Sequence, residues 1–395
     1  MSRKIAIVLE RANIALGGAE RSVFELASAL SKLHHDVHII AAKGQKQNAN
    51  VHILCQDTPG KRVPHRTFAK AVTKHTRQSR YDIIHSVLPF DFVDVYQPRG
   101  GTYAESILRN AASYETAFVR SYKKFTAFAN LRRSILLHAE KQLCKKRDGP
   151  RIVAISQYVA EQFKRHYGLG SDRVVVIPNG IRINRTVRTD KADRLRSQIF
   201  SRLNATEADR PVLFLFAAHN FRLKGCKTLL TAMHSAIHGG AERPPCAVIV
   251  GSGKTHRYRR LAKKLNIHNS VVFLGNLRRM QDTLSISDAG ILPTFYDPCS
   301  RFILEVLAAG KPVITTKFNG ATDLFQDGRH GKVIDSPDNT AALAQAVIHF
   351  THTDNIISAS QAIIDDNVRQ EISIHRVAKQ LTSLYEDILQ KKGRE

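Results

Sequence analysis

The 395-residue sequence lacks the patterns that mark several common classes of protein. Its five cysteines include no C-x2-C pair, which argues against a zinc site and a disulfide framework and favours a reducing cytoplasm. No stretch approaches the roughly eighteen apolar residues of a membrane span, and the first apolar run, 5–9, ends at Glu10 and Arg11. The sequence therefore predicts a cytoplasmic protein whose contact with a membrane is peripheral.

Three ligand-binding motifs are also missing. No D-x-D occurs, so the usual paired carboxylates for Mg²⁺ or Mn²⁺ on a diphosphate are absent and no metal site is predicted. Gly17 is followed at once by Gly18 without a third glycine, which does not favour a dinucleotide oxidoreductase. Segment 250–255 ends like a P-loop, but Val248 stands where that motif needs its first glycine. An NTPase is therefore not expected.

Acidic residues are few relative to basic ones. The 60 Lys and Arg against 34 Asp and Glu give a formal charge of +26, which indicates an anionic partner. Nucleic acid is one candidate, but no zinc-finger spacing, RNP-type motif or homeodomain-like helix supports it. Anionic lipid together with phosphorylated substrates explains the same charge. We therefore expect no nucleic-acid partner, and the alternative would show an affinity that falls steeply with salt.

The composition, 43% hydrophobic and 24% charged, is that of a folded protein long enough for two domains with a ligand-binding cleft. Short apolar runs alternate with amphipathic stretches, as in a parallel sheet covered by helices. The runs lie at 5–9, 37–40, 81–85 and 151–155, and again at 212–217, 247–250, 271–274, 289–292 and 313–315. The fold class predicted is α/β, with two Rossmann-like domains facing across a cleft.

The domain boundaries are predicted from where this alternation stops and restarts. Residues 1–190 form an N-terminal domain and residues 191–375 a C-terminal domain, joined near 182–210, where the sequence is polar and Pro211 follows. Residues 376–395 form a last helix that could pack on either half. His85 ends a predicted strand of the first half, and is either a polar group near a substrate or a buried histidine with a partner.

A basic insert at about 103–151 interrupts the pattern of the first half. Before Arg151 it carries ten lysines and arginines among apolar residues that recur every three or four positions, namely Phe118, Tyr122, Phe125, Phe128, Leu131 and Ile135. On a helix these residues form one stripe flanked by cations. One interpretation is a solvated helix whose aromatic side chains pack on the domain. The other is a surface that lies on anionic lipid head groups.

Glycines and cations mark the expected ligand-binding turns. Gly17 and Gly18 follow the first strand and open the first helix, where backbone N–H groups can approach a ligand, although a plain tight turn is equally consistent. Arg222 and Lys224 follow the first strand of the second half, at the sheet edge where such folds bind ligands, and suit a diphosphate. The turn at Gly253 is placed to contact the sugar or base of a nucleotide.

A second group of candidates follows the strand at 289–292. Pro298 suits the first turn of a helix, so that the N–H groups of Cys299, Ser300 and Arg301 would form an anion site at its N-terminus. The carboxylates of Asp297 and Glu305, eight residues apart, bracket that site and could accept hydrogen bonds from sugar hydroxyls.

In their order along the chain these motifs resemble the GT-B glycosyltransferases, specifically glycosyltransferase family 4, over nearly the whole length. The matched pieces are 17–20, 177–181, 222–225, 251–253, 273–275 and 297–312. Segments 296–305 and 93–96 look most like the subgroup of lipopolysaccharide-core glucosyltransferases.

The resemblance implies a role for each candidate. It implies that Arg222 and Lys224 bind the donor diphosphate, that Glu305 holds the nucleotide ribose and that Asp297 contacts the transferred hexose. Segment 273–277, ending at Leu277, would lie beside the base. Gly17 and Gly18 would lie beside the diphosphate and sugar. Asp94 matches an acidic residue on the acceptor side, although Asp91 is a close alternative.

One departure concerns the family pattern E-x7-E, because its first position here is Asp297, one methylene shorter. The resemblance also implies retention of anomeric configuration. Taken together, the motifs and the resemblance predict a metal-independent hexosyltransferase that uses no cofactor beyond a nucleotide-sugar donor, UDP-glucose. The acceptor expected is a lipid-linked, anionic or phosphorylated saccharide such as lipopolysaccharide core, reached at the inner face of the cytoplasmic membrane. The alternative is a catalytically weak or inactive relative that binds a membrane or a partner.

Overall fold

The computed structural model describes residues 2–14, 17–46, 48–60, 62–126, 129–183, 186–277 and 279–393. The chain divides into two compact units. The first comprises Met1–Ala111, Thr116–Arg182 and Ser373–Glu395, and the second comprises Ala112–Glu115 and Ile183–Ile372. The prediction put the change of domain at 190 and 375, so the chain enters the second unit a few residues earlier and leaves it at nearly the expected place.

The first unit is built on a parallel sheet of seven strands in the order β3-β2-β1-β4-β5-β6-β7. Neighbouring strands pair in parallel throughout the described residues, so their carboxyl ends share one edge. The strands are β1 (Lys4–Ala12), β2 (Asp36–Gly44), β3 (Val51–Ile53), β4 (Ile83–Ser86), β5 (Val95–Tyr96), β6 (Arg151–Ala154) and β7 (Val174–Val176).

Helices cover both faces of this sheet. The helices of this unit are α1 (Gly18–Lys32), α2 (His65–Ser79), α3 (Tyr103–Ala112), α4 (Ala117–Thr126), α5 (Leu131–Lys145), α6 (Gln157–Tyr167) and α15 (Ile374–Lys392). Alternate residues of β1 face opposite sides, as the pleat requires. Ile5 and Ile7 pack in the cluster formed with α1 and α15, while Ala6 and Val8 pack in the cluster formed with α2.

The C-terminal helix α15 belongs to the first unit. Leu381 and Tyr385 are buried against β1, β2 and α1, and the Tyr385 hydroxyl lies 2.7 Å from Nδ1 of His85 on β4. His85 is fully buried, and burial lowers its pKa to about 3. Of the two interpretations of His85, the structure supports a buried histidine with a partner.

The basic insert forms three helices, α3, α4 and α5, between β5 and β6. The side chains of Phe118 and Phe125 on α4 are each 81% exposed, and Leu131 at the start of α5 is 74% exposed. The interpretation in which these apolar side chains pack on the domain is therefore wrong for the described residues. Tyr122 is also exposed, whereas Phe128 lies outside the described residues.

The second unit holds a parallel sheet of six strands in the order β10-β9-β8-β11-β12-β13. The strands are β8 (Val212–Ala217), β9 (Pro245–Val250), β10 (Val271–Gly275), β11 (Ala289–Leu292), β12 (Val313–Thr316) and β13 (Gly331–Ile334). The helices are α7 (Thr189–Leu203), α8 (Cys226–His238), α9 (Thr255–Lys264), α10 (Gln281–Ile286), α11 (Arg301–Ala308), α12 (Thr340–His349), α13 (Thr353–Asp365) and α14 (Val368–Glu371). The polar stretch expected to join the halves thus contains the helix α7.

Both units confirm the α/β class, with two separate parallel sheets and helices between most consecutive strands. Among the described residues, no helix combines the length and apolar character that crossing a membrane requires.

Candidate functional site

The candidate site lies at the carboxyl edge of the second sheet, where loops after β8, β9, β11 and β12 meet. The loop after β8 bonds to the loop after β11, because Phe295 N–H donates to the Leu223 carbonyl at 2.9 Å. The loop after β11 bonds to the loop after β12, because Asp297 N–H donates to the Phe318 carbonyl at 2.9 Å. These backbone bonds hold the predicted donor-site residues of three strands in one fixed array.

Gly225 ends the loop after β8 and caps α8. Its φ of 76° lies in the left-handed region, and a Cβ atom there would overlap the carbonyl oxygen of Pro293. Only glycine allows the loops after β8 and β11 to approach so closely. The close approach brings Lys224, the residue before the glycine, against the loop after β11.

Lys224 and Asp297 form an ion pair. Nζ of Lys224 lies 2.7 Å from Oδ2 of Asp297 and donates to the Tyr296 carbonyl, also at 2.7 Å. The two side chains are 20% and 16% exposed, so solvent screens the pair only partly. The residue predicted to bind the diphosphate, Lys224, and the residue predicted to contact the hexose, Asp297, thus lie together, and each fixes the position of the other.

The start of α11 differs from the prediction in its register. The helix begins at Arg301 with Ser300 as its N-cap, so Pro298 and Cys299 precede the helix rather than form its first turn. The Ser300 N–H donates to Oδ1 of Asn319 at 3.1 Å, so it is used inside the protein. The helix begins after Ser300 because the Ser300 hydroxyl accepts a hydrogen bond from the Ile303 N–H, which caps the first turn.

Cys299 is likewise not a surface residue. Its side chain is 5% exposed, and it lies between Pro298 and the N-cap Ser300. Of the N–H groups predicted to form an anion site, that of Ser300 is used inside the protein, and that of Arg301 begins the first turn of α11. The anion site itself stays a prediction.

Glu305 lies one turn further along α11. Its Oε1 is 3.5 Å from Nη2 of Arg301, in an i,i+4 ion pair whose side chains are 12% and 11% exposed. The helix thus presents a carboxylate and a guanidinium side by side. Together with the Lys224–Asp297 pair, this arrangement supplies cations for phosphate groups and carboxylates for hydroxyl groups within one unit.

Arg222 has partners that the sequence did not predict. Its guanidinium lies 3.8 Å from the centroid of the Tyr114 ring, and it donates to the Ser113 hydroxyl. Segment Ala112–Glu115 is part of the second unit although the chain on either side of it belongs to the first. Burial lowers the pKa of Arg222, an unusual environment for a guanidinium. The stacked ring fixes the plane of the guanidinium.

The same segment supplies an anion to this edge. The Glu115 carboxylate lies 2.9 Å from Nζ of Lys227 and also pairs with Arg257, and hydrogen bonding to Lys227 lowers the pKa of Glu115. Lys227 is in the first turn of α8 and Arg257 in the first turn of α9. A carboxylate is therefore held where two cations and two helix N-termini favour negative charge.

The turn after β9 is built on two glycines. A Cβ atom at Gly251, whose φ is 136°, would overlap the Ala218 carbonyl oxygen, and one at Gly253 would come within 3 Å of several atoms of the Phe221 ring. Gly251 N–H donates to the Gly275 carbonyl at 2.8 Å, which joins this turn to the end of β10. Leu277 follows β10 and is half-buried. Gly253 and Leu277 thus lie on neighbouring loops of the expected edge.

Gly17 and Gly18 lie at the carboxyl edge of the other sheet. Gly17 caps α1 with extended backbone, and Gly18 is the first residue of that helix. The described residues are consistent with both interpretations, a ligand-binding turn and a plain tight turn. Ala15 and Leu16, which precede it in the motif, lie outside the described residues.

Asp94 does not lie at the same edge of the first sheet as Gly17 and Gly18. It precedes β5, so it sits at the amino edge of the first sheet, opposite the turn at Gly17. Its Oδ2 accepts from the Ile84 N–H at 2.8 Å, and its Oδ1 pairs with Lys392 of α15. These contacts give Asp94 a structural role in joining β4, β5 and the C-terminal helix. The geometry does not support the catalytic role predicted for it, because the parallel sheet directs ligands to the other edge.

Asp91, the alternative to Asp94, is an exposed residue between β4 and β5. Its carboxylate lies 3.7 Å from Nζ of Lys146. The described residues contain no cluster of three or more histidine, cysteine or acidic side chains placed to hold a metal ion. All five cysteines are buried, and none of them forms a disulfide bond.

Comparisons with known proteins match each half of the chain to a glycosyltransferase model. Residues 16–185 match the model described as Glycosyltransferase Family 4, and residues 210–352 match the model described as Glycosyl transferases group 1. Among curated proteins, the chain is 21% identical over 324 residues to the lipopolysaccharide glucosyltransferase WaaG of Escherichia coli strain K12. The aligned region covers 81% of this chain and 82% of that protein.

Solved structures agree on the fold. A crystal structure of WaaG, described as a glycosyltransferase involved in lipopolysaccharide biosynthesis, superposes with a TM-score of 0.72 at 17% identity and covers 96% of this chain and 99% of that one. HepE of Anabaena, solved in complex with UDP-glucose, gives a TM-score of 0.68 at 16% identity and covers 98% of this chain and 100% of that one. With a glycosyltransferase model matched in each half and two parallel α/β sheets like those of these enzymes, the chain belongs to the GT-B glycosyltransferases.

Proposed function

We propose that this glycosyltransferase moves glucose from UDP-glucose to a lipid-linked, anionic saccharide such as lipopolysaccharide core, with retention of anomeric configuration and without a metal ion. The observation that carries the proposal is the Lys224–Asp297 pair at the carboxyl edge of the second sheet, beside α11 and Glu305. It combines a fixed cation for a leaving phosphate with carboxylates for sugar and ribose hydroxyls.

The chemistry assigned to these residues is electrostatic. As the bond between the sugar and the diphosphate breaks, negative charge develops on the departing phosphate oxygen. Lys224 and Arg222 are held by Asp297 and Tyr114 before any ligand arrives, so little reorganisation is needed when that charge appears. Glu305 is placed on α11 to hold the ribose. The two cations thereby take the part that a metal ion plays in transferases with paired carboxylates.

The choice of donor and acceptor rests on similarity and on charge. WaaG is named a lipopolysaccharide glucosyltransferase, and HepE was solved with UDP-glucose. The exposed aromatic residues of α4, among lysines and arginines, suit contact with an anionic membrane that carries the acceptor. We place the enzyme on the inner face of the cytoplasmic membrane, held there by peripheral contact.

The test is transfer or hydrolysis by the purified full chain over a panel of UDP-, GDP- and ADP-sugars, each in the presence of EDTA. Lys224→Ala and Glu305→Ala are compared with Lys263→Gln, a substitution at an exposed lysine of α9. We expect turnover of UDP-glucose that survives EDTA, falls by about 10²–10³ in Lys224→Ala and is unchanged in Lys263→Gln.

Two further outcomes are separated by the thermal stability of the protein with each donor. Stabilisation by UDP-glucose without turnover points to a missing acceptor, and the assay is then repeated with a deacylated lipopolysaccharide core. Neither turnover nor stabilisation by any sugar nucleotide contradicts the proposal and leaves the alternative, an inactive relative that binds a membrane or a partner.

A further inference from the structure

Helix α2 of the first unit carries cations that the proposed donor site does not use. Its sequence, HRTFAKAVTKHTRQS, contains no acidic residue. Arg66, Lys70, Lys74 and Arg77 are spaced four, four and three residues apart, so they lie on one face, with successive residues about 4.5–6 Å apart along the axis. All four are exposed.

These four cations are also unpaired. In the portion of the chain that the structure describes, none of them forms an ion pair, a hydrogen bond or a ring contact. This differs from the cations of the second unit's sheet edge, where Lys224, Lys227 and Arg257 each contact a carboxylate. A row of unpaired like charges repels itself, and an anionic ligand relieves that repulsion.

The row borders a cavity of about 850 Å³ between α2, the loop after β4 and α5. We call this cavity the α2 groove. Its volume falls within the range of sites that bind small ligands. Asp91 is the acidic residue in its lining, and Lys146 already lies 3.7 Å from that carboxylate. The groove therefore has a large excess of positive charge.

One wall of the α2 groove is aromatic. The rings of Phe90 and Phe92 stack with their centroids 5.3 Å apart, and the ring of His65 lies 4.8 Å from that of Phe90. Phe92 is partly exposed. Burial lowers the pKa of His65, so its ring is neutral at pH 7 and adds an uncharged flat surface. The groove thus combines a row of cations with a flat apolar wall, a pairing suited to a sugar chain that carries anionic groups.

We propose that the α2 groove binds the phosphorylated saccharide of the acceptor, with phosphate groups on Lys70 and Lys74 and sugar rings against Phe92. The identity of this ligand rests on the proposed function, whereas the groove and its charge do not. The site is separate from α4, whose described residues do not line the groove and whose exposed aromatic side chains suit contact with a bilayer. A concave groove fits a saccharide chain better than the plane of lipid head groups.

The test measures binding by calorimetry, without donor, so it does not depend on turnover. The probe is a deacylated, phosphorylated lipopolysaccharide core oligosaccharide, compared with the same oligosaccharide after removal of its phosphates. Lys70→Gln/Lys74→Gln is compared with Lys263→Gln/Lys264→Gln, which removes two exposed cations from α9 of the other unit. A third arm uses vesicles of phosphatidylglycerol and phosphatidylcholine in equal parts.

We expect the wild type to bind the phosphorylated oligosaccharide, the α2 variant to bind it about tenfold more weakly or worse, and the α9 variant to match the wild type. Removal of the phosphates should abolish binding. Equal binding by the α2 variant and the wild type overturns the proposal. The proposal is also overturned if the wild type binds vesicles but not the oligosaccharide, and the α2 variant no longer binds the vesicles. That result would assign the four cations to lipid head groups. Oligosaccharide binding without turnover in the donor assay leaves this site intact while the proposed function fails.

Discussion

Replacing Glu140 with glutamine should change how the stability of the first unit depends on pH. Glu140 is on α5 and is fully buried. Its Oε1 accepts from the Tyr96 hydroxyl at 2.8 Å, and its Oε2 accepts from the Tyr167 hydroxyl at 2.7 Å and the Tyr103 N–H at 2.8 Å. Burial raises the pKa of Glu140 to about 7, and the hydrogen bonds from these tyrosines offset only part of that rise.

The size and sign of the effect follow from this pKa. The unfolded chain releases the proton near pH 4.5, whereas the folded chain keeps it until about pH 7. The favourable contribution of Glu140 to the free energy of unfolding is therefore fully present below pH 4.5 and is lost as the pH rises to 7. The difference between the two pKa values corresponds to about 3 kcal/mol.

Urea unfolding between pH 4 and about 8 measures this loss, followed by far-ultraviolet circular dichroism because the chain contains no tryptophan. In Glu140→Gln the loss should disappear, so the free energies of unfolding of the two proteins should diverge by about 3 kcal/mol across that range. Taking the difference between them cancels the groups that titrate alike in both. Parallel curves for wild type and variant would refute the reasoning.

Glu105 provides a control of opposite sign. Its side chain is also buried, and burial alone would raise its pKa, but hydrogen bonds from Arg109 and His166 lower the pKa of Glu105 below its ordinary value. Its contribution to stability is therefore present above pH 4.5 and is lost as the pH falls further. Glu105→Gln should remove a dependence at acidic pH and leave the window between pH 5 and about 7 unchanged.

Three other expectations concern single contacts. Gly225→Ala should lower the free energy of unfolding by more than about 2 kcal/mol, because its Cβ would overlap a carbonyl oxygen. Gly310 is also at positive φ but in open space, so Gly310→Ala should lower it by only about 1 kcal/mol. Equal losses for the two variants in thermal unfolding would contradict this. Tyr385→Phe removes the hydroxyl partner of buried His85 and should lower the free energy of unfolding in urea by about 1–3 kcal/mol. An unchanged free energy of unfolding would show that this hydrogen bond contributes nothing to stability. Burial, and then the neighbouring histidines, lower the pKa of His52 below 6.5, so its contribution to the free energy of unfolding is present above pH 6.5 and is lost as the pH falls below it toward the lowered pKa. His52→Gln should weaken this loss, and an unchanged loss of stability at acidic pH would refute the assignment.

Much of the fold was predictable because the longer strands are apolar on both faces. Val212–Ala217 and Ala289–Leu292 were predicted with the bounds that the structure gives, and the other predicted runs overlap a strand. The strands that were missed include β5 and β7, of two and three residues. Such short segments carry no periodicity of their own, and neighbouring strands hold them in the sheet. The break of the basic insert into separate helices was missed as well, because the apolar spacing continues across it.

The candidate site was predicted in its positions but not in its partners. Lys224 and Asp297 were identified separately from their places after strands, and the ion pair between them depends on the close approach at Gly225. Tyr114, more than a hundred residues before Arg222, gave no signal in the sequence. The role of Asp94 was predicted from a local resemblance, which does not show at which edge of a sheet a residue lies.

The return of α15 to the first unit bears on how the protein is made. The ribosome completes residues 183–372, nearly the whole second unit, before it supplies the helix that covers β1 and α1 with Leu381 and Tyr385. Until then the apolar side chains under α15 remain uncovered, although their strands emerged first. We therefore expect the second unit to finish folding during synthesis while the first waits for the last residues, an order opposite to that of domains that simply follow one another along a chain.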